Sequence, residues 1–193
     1  MKKAVFLDRD GVICKEIDHL HRKEDFTLLG RVGEAIKLLN DNHYLAIVIT
    51  NQAVVARGMC TEKDVKELNK HMEELLRREG AKIDAVYYCP HHPEMHPDVP
   101  EHARKYRVEC ECRKPKPGMI FQAQKDFQIR DLKKCFMIGD KNGDILSGKN
   151  AGCKTILVRT GYGGKGGDNI EKVSPDYIEK DLYCAVNNII LKT

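Results

Sequence analysis

Four apolar residues, Ala4-Val5-Phe6-Leu7, run directly into Asp8-Arg9-Asp10-Gly11-Val12. A short run carrying Val and Phe and closed by a breaker predicts a buried strand. The same pattern recurs over residues 44–50, 83–89, 135–139 and 155–158. Segments with a helical period separate these runs. Val32 to Leu39 has helical spacing and ends near Asn40-Asp41-Asn42. Thr61 has the form of an N-cap, with Glu62 and Asp64 in the first turn. The helix it opens reaches about residue 78, with Val65, Leu68, Met72 and Leu75 or Leu76 as its apolar stripe, and Gly80 stops it. Residues 118–127, 144–151 (closed by Gly152) and about 181–191 complete the helices. Strands alternating with helices predict an α/β fold, with a central parallel sheet covered on both faces.

Three stretches fall outside this alternation. Residues 14–29 are polar, without clean periodicity, and read either as a flap over the end of the first strand or as a solvated loop. Residues 90–117 are irregular, and five of the seven prolines lie between 90 and 115, which excludes a long helix or central strand there. A loop of that length is functional or disordered, so a folded one needs something to hold it. The glycine-rich stretch from Gly161 to Gly167 leads into Tyr177-Ile178 and the last helix.

The length of 193 residues suits one domain spanning 1–193. With 41% hydrophobic and 32% charged residues, the composition is that of a soluble globular protein. A net charge of +4 weakly favours anionic partners, and with no Trp for base stacking it makes nucleic acid an unlikely partner. No apolar run is long enough to span a membrane. The apolar run at the N-terminus is too short for a secretory signal and is cut off by Asp8-Arg9-Asp10. A cytoplasmic monomer is expected. In that setting the eight cysteines point to metal binding or plain burial rather than disulfides.

In a parallel sheet the C-terminal ends of the strands share one edge, where ligands bind. Here those ends carry Asp8 and Asp10, Thr50 and Asn51, the region after Cys89, and Asp140 and Lys141. Asp8, Asp10 and Asp140 make an oxygen-rich site suited to Mg²⁺. One carboxylate beside such a cation could attack phosphorus. Arg9, Arg57, Arg113, Lys114, Lys116 and Lys141 offer positive charge for phosphoryl oxygens. Taken alone, Asp8-x-Asp10 could be two surface acids at the start of a loop; the other matching strand ends argue against that.

A second set is Cys89-x-His91 with Cys110-x-Cys112. Three sulfurs and an imidazole suit tetrahedral Zn²⁺, and four protein ligands leave no open position, so the site would be structural. A clip over about 89–112 would order the long loop and deliver Arg113-Lys114 to the sheet edge. Buried or free thiols are the alternative, and His92, His96 or His102 could replace His91. Gly161-x-Gly163-x-x-Gly166 matches a dinucleotide fingerprint only as text, since no amphipathic helix opens from it.

In combination, Asp8-x-Asp10-x-Gly11, Thr50-Asn51, Lys114 and Gly139-Asp140-x-x-x-Asp144 resemble the four ordered motifs of the haloacid dehalogenase-like (HAD) phosphatases. A closer resemblance is to the D-glycero-D-manno-heptose 1,7-bisphosphate 7-phosphatases and their histidinol-phosphate phosphatase relatives. It is carried by Asp8-Arg9-Asp10-Gly11, Thr50-Asn51-Gln52, Ala56-Arg57-Gly58, Cys89-Pro90-His91-His92-Pro93, Cys110-x-Cys112-Arg113-Lys114-Pro115, Pro117-Gly118-Met119 and Gly139-Asp140-Lys141. The resemblance implies a HAD-like Rossmannoid three-layer sandwich with a short flap after the first strand and a zinc-clipped loop. It implies Asp8 as nucleophile and Asp10 as the group that protonates the leaving oxygen and then activates water. Mg²⁺ would sit on Asp8, the Asp10 main-chain carbonyl and Asp140. Thr50 and Lys114 would steady the phosphoryl group. Arg9, Asp18, His19, Asn51, Gln52, Arg57, Arg113 and Lys141 would contact a small phosphorylated sugar, and Zn²⁺ would sit on Cys89, His91, Cys110 and Cys112.

The chain departs from that family in three places, one of them the loop between the zinc half-sites, which looks expanded, with Glu94 to Val108. After Asn51-Gln52 it reads Ala53-Val54 where the family usually has Ser-Gly, losing a hydroxyl and a flexible position. After Asp18-His19 it reads Leu20-His21 where the family has Gly-Tyr. All three departures bear on the sugar, not on phosphoryl transfer.

Overall fold

A computed structural model describes residues 2–94 and 98–193. His96, one of the alternative zinc ligands, lies outside the described residues. The strands are β1 (Lys3–Leu7), β2 (Tyr44–Asn51), β3 (Ala85–Cys89), β4 (Phe136–Gly139), β5 (Lys154–Val158) and β6 (Tyr177–Glu179). The helices are α1 (Val32–Asp41), α2 (Glu62–Arg78), α3 (Glu101–Arg104), α4 (Gly118–Phe127), α5 (Asn142–Ala151) and α6 (Leu182–Asn188). The six strands form one sheet in the order β3-β2-β1-β4-β5-β6, and each neighbouring pair is parallel.

β1 shows why both faces are covered. Alternate side chains of a strand point to opposite faces. Val5 and Leu7 join the cluster built on α1, α2 and α6, while Ala4 and Phe6 join the one built on α4. All four are fully buried, and burying a side chain the size of Phe6 contributes about 1.5–3 kcal/mol. α2 begins with the capping box expected at Thr61, whose hydroxyl accepts from Asp64 N while the Asp64 carboxylate accepts from Thr61 N.

The register aligns the chemistry. Leu7 pairs with Val48 on one side and with Ile138 on the other. The residues that follow, Asp8, Thr50 and Asp140, therefore emerge together at one edge. Chain order reverses between β1 and β4, and a crevice opens at such a reversal.

Several elements differ from the sequence reading. β6 is a strand of three residues, too short to show a period, and the Asp176 carboxylate just before it holds it to Thr155 N and Oγ1 at 2.8 and 2.7 Å. β3 starts at Ala85 because Asp84 turns to accept from Ala46 N at 2.9 Å. α3 is a single turn inside the irregular stretch. α5 starts at Asn142, and α6 ends at Asn188, followed by a separate 3-10 turn at Ile190–Lys192.

Candidate active site and metal centres

Asp8 lies just past β1 and is 4% exposed, so it is placed by the sheet and not by a mobile loop. Its Oδ1 accepts from Arg9 N at 2.8 Å and from Lys114 Nζ at 2.8 Å. Lys114 also reaches Asp144 Oδ1 at 2.7 Å and donates to Ile49 O at 2.9 Å. Burial alone would push this ammonium towards neutrality, but Asp144 and Asp8 outweigh it and its pKa is raised. Asn51 fixes the lysine's main chain at two points, donating to Lys114 O and accepting from Lys114 N, each at 3.0 Å. Thr50 is buried, and its hydroxyl accepts from Gln52 Nε2 at 2.8 Å.

Ligand oxygens of Asp8, Asp140 and Asp144 lie within 4.8 Å of one another, and all three residues are buried. Asp144 Oδ2 accepts from Lys141 N at 3.0 Å and its Oδ1 holds Lys114, so both of its oxygens are engaged. Asp140 Oδ2 accepts from Tyr162 N at 2.8 Å, but its buried Oδ1 has no partner among the described residues. That orphaned oxygen between carboxylates fits a hard divalent cation. Room for the Asp140 carboxylate is made by Gly11 (φ 83°) and Gly161 (φ 59°), since a Cβ on either would stand 2.3 or 2.1 Å from Asp140 Oδ2. The sequence motif contained Asp144 without giving it a task; its spacing of four from Asp140, across a helix start, was the available signal. The Asp10 side chain is not part of this cluster.

The metal-free cluster predicts a pH dependence. Burial, and then the charges of Asp144 and Asp8, push the Asp140 carboxyl up to about 8. Asp144 rises to about 6, chiefly through burial. Below these values a cation has to displace protons. Mg²⁺ affinity of the metal-free protein should therefore climb from about pH 6 through pH 8 and level off only above about pH 9, with proton release measured by titration calorimetry in buffers of different ionisation enthalpy. A flat profile would contradict it.

Asp10 sits in a cradle of donors. Arg9 Nε reaches its Oδ1 at 3.1 Å and Arg9 Nη2 its Oδ2 at 3.0 Å. Gln52 Nε2 adds a bond to Oδ2 at 2.9 Å and Cys14 Sγ one to Oδ1 at 3.4 Å. Burial would raise the Asp10 carboxyl, but the Arg9 charge and these hydrogen bonds hold it below the usual range. The expectation that Arg9 contacts substrate is corrected here. Arg9 is fully buried; its Nη1 donates to Asn69 Oδ1 at 3.0 Å, and Nη2 donates to Gln52 Oε1 at 2.8 Å as well as to Asp10. Lys116 is also misassigned: it does not line the cavity and its partly exposed side chain pairs with Glu109 and Glu111.

Above these residues opens a cavity of about 960 Å³, lined by Asp8, Asp10, Thr50, Asn51, Gln52 and Lys114 at its base. Glu16, Asp18, His19 and Leu20 line it as well, so the first part of the 14–29 stretch covers the site and is not only a solvated loop. Asp18 and His19 turn it with left-handed backbone (φ 55° and 59°), and His19 Nε2 meets the Arg57 guanidinium. Arg113 also lines the cavity and donates to His91 O at 3.1 Å. Lys141 ties the flap down through Glu16 Oε2 at 2.7 Å. Ala53 and Val54 face this space too. A further wall, unforeseen from sequence, is the loop through Asp168, which accepts from Gly143 N at 2.7 Å.

The second centre is complete in itself. Cys112 Sγ lies 3.2 Å from Cys89 Sγ, 3.4 Å from Cys110 Sγ and 3.4 Å from His91 Nδ1. Cys89 Sγ lies 3.5 Å from Cys110 Sγ and 3.7 Å from His91 Nδ1. Ligand bonds of about 2.3 Å to sulfur and 2.0–2.1 Å to nitrogen give tetrahedral edges of about 3.5–3.8 Å. The four soft donors therefore fit zinc, with no open position. Without metal the hydrogen bond shared between the two sulfurs holds the Cys112 thiol down to about 5 and pushes the Cys89 thiol up. His92 lies instead beside the cavity. Among the described residues the cluster contains only His91 as imidazole.

Comparison with known proteins agrees with this geometry. Residues 111–185 match the HAD-hydrolase-like family. The chain is 43% identical over 162 residues to the D-glycero-beta-D-manno-heptose-1,7-bisphosphate 7-phosphatase of Haemophilus ducreyi, covering 83% of this chain and 85% of that one. It is 39% identical over 196 residues to the D-glycero-D-manno-heptose-1,7-bisphosphate 7-phosphatase of Chlorobaculum tepidum, covering 98% and 94%. The crystal structure of D,D-heptose 1,7-bisphosphate phosphatase from B. bronchiseptica complexed with magnesium and phosphate superimposes with a TM-score of 0.82 at 27% identity, covering 99% of each chain. The chain belongs to the D-glycero-D-manno-heptose-1,7-bisphosphate 7-phosphatase family of HAD-like hydrolases.

Proposed function

We propose that this phosphatase removes the 7-phosphate of D-glycero-D-manno-heptose 1,7-bisphosphate through an aspartyl-phosphate on Asp8. The observation that carries the reading is the contact of Asp8 with Lys114 at 2.8 Å, at the base of a cavity walled by Arg57 and Arg113. One end of the cavity thus offers a nucleophile beside a cation. The walls offer guanidinium groups to a second phosphate. The names of the relatives supply the sugar.

In this reading an Asp8 oxygen forms a bond to phosphorus as the ester P–O bond breaks. The leaving oxygen takes its electron pair and a proton from Asp10. An incoming phosphate raises the Asp10 carboxyl by its negative charge, favouring the protonated form this step needs. Water then attacks phosphorus, loses a proton to Asp10, and frees the Asp8 carboxylate. Lys114 and Thr50 hold phosphoryl oxygens. Asp8, the Asp10 main-chain carbonyl and Asp140 would hold Mg²⁺, which screens the negative charge gathered there. Asp18, His19, Arg57, Arg113 and Lys141 meet the sugar and its second phosphate. Asn51 and Gln52 line the same space while holding Lys114 and Asp10. Three free thiols among the four clip ligands support a cytoplasmic setting.

The test is kcat/KM with Mg²⁺ on both anomers of the heptose bisphosphate, histidinol phosphate, and a short oligonucleotide phosphorylated at either end. One heptose anomer should exceed histidinol phosphate and the oligonucleotide by about 10²-fold or more, since their missing contacts leave buried polar groups unpaired. Comparable values on all would contradict the substrate assignment.

A further inference from the structure

We infer that Asn69, a residue of α2 behind the sheet edge, is a positioning residue for the proton transfer made by Asp10, and that it acts through Arg9. The inference rests on the assignment of Asp10 as the proton donor to the leaving oxygen.

The inward face of α2 is apolar, with Val65, Leu68, Met72 and Leu76 buried along it. Asn69 stands in that face at 6% exposure. A leucine would satisfy the helical period there, and an amide buried without a partner would cost stability. Its partner is specific: Asn69 Oδ1 accepts from Arg9 Nη1 at 3.0 Å.

Arg9 is the largest fully buried side chain. Three of its nitrogens point at three different residues. Nε and Nη2 grip the two oxygens of Asp10, Nη2 also donates to Gln52 Oε1, and Nη1 is held by Asn69. A guanidinium is a rigid planar fork. Anchoring it at Nη1 by Asn69 and at Nη2 by Gln52 sets the plane in which it meets the carboxylate. That plane sets the direction in which Asp10 presents its oxygens to the cavity.

Without the Asn69 carbonyl, an Arg9 N–H is left buried without an acceptor. The fork then turns towards other acceptors, and the Asp10 carboxylate turns with it. Phosphoryl transfer to Asp8 suffers only where the leaving oxygen needs the Asp10 proton. A sugar alkoxide needs it. A nitrophenolate leaves as the anion and does not.

The test compares kcat/KM on the heptose bisphosphate with kcat/KM on p-nitrophenyl phosphate, in the same preparation of Asn69→Leu. This parameter contains only the steps up to formation of the aspartyl-phosphate, and any loss of folded protein divides out of the ratio. The sugar ester should fall about 10- to 100-fold, part of the effect that general acid catalysis supplies, while the aryl ester stays within about threefold. Asn69→Ala carries the same expectation if leucine is not accommodated. Asp10→Asn is the reference and should show the same selectivity more strongly. Equal change on both esters in the Asn69 variants, with Asp10→Asn still selective, overturns the inference alone. Equal loss on both in Asp10→Asn overturns the Asp10 assignment and the inference with it.

Discussion

Asp8→Asn should lower phosphate release by about 10⁴-fold or more, equivalent to at least about 5 kcal/mol of lost transition-state stabilisation. The amide oxygen can still accept from Arg9 N, which Asp8 Oδ1 does at 2.8 Å. The nucleophile, however, is gone, and an amide oxygen does not form a stable phosphoryl intermediate. The fold should survive. Asp8 stands among Asp140 and Asp144 with Lys114 as the buried cation that pairs with it, so removing one like charge relieves repulsion. Lys114 keeps Asp144 at 2.7 Å. Steady-state kinetics and a thermal melt check this together, and turnover that persists in the variant would remove Asp8 from the role of nucleophile.

Stripping zinc with a chelator, or replacing Cys112 by Ser, should lower kcat by about 10²–10³-fold, the loss expected when one transition-state donor is misplaced. The reason is distance along the chain. Lys114 follows Cys112 by two residues, and the clip holds Cys112 against Cys89 at the end of β3. Asn51 holds the Lys114 main chain at two points, but the described residues between 89 and 112 keep little else that is regular beyond the single turn α3. Metal binding therefore supplies the order that a short helix cannot. The sheet itself should remain folded, because its two large clusters are built mainly on the helices and strands. Expected readouts are about one zinc per chain in metal analysis, new proteolytic cuts confined to the loop, and recovery of kcat on adding zinc back. A folded, fully active protein without zinc would show that the clip is dispensable.

Much of the site was legible because it lies at strand ends. The apolar runs before Asp8, Thr50 and Asp140 are readable as buried strands, and parallel strands bring their ends together whatever the sequence separation. The clip was legible because Cys-x-His and Cys-x-Cys pairs have few other uses in a long loop. Arg9 was misread for a physical reason. Neighbours along an extended backbone point to opposite faces, so a chain that aims Asp8 at the cavity sends Arg9 into the core beneath it. Its acceptor, Asn69, is sixty residues away on a helix whose period predicts an apolar position, and no local signal connects the two. Asp144 was visible in the motif, but its grip on Lys114 depends on the packing of α5 against β4. Lys116 differs from Lys114 only by two positions, yet that places it among Glu109 and Glu111 at the surface. β6 was missed because three residues held by one aspartate show no period.

The central claim is that the phosphoryl group passes through Asp8. Its most direct test is rapid acid quench of the enzyme turning over heptose 1,7-bisphosphate with Mg²⁺, followed by borohydride reduction and peptide mass spectrometry. The account predicts a reduced acyl-phosphate at Asp8, absent in Asp8→Asn. A phosphoryl label trapped on a cysteine, a histidine or another aspartate, with Asp8 unmodified, would contradict it.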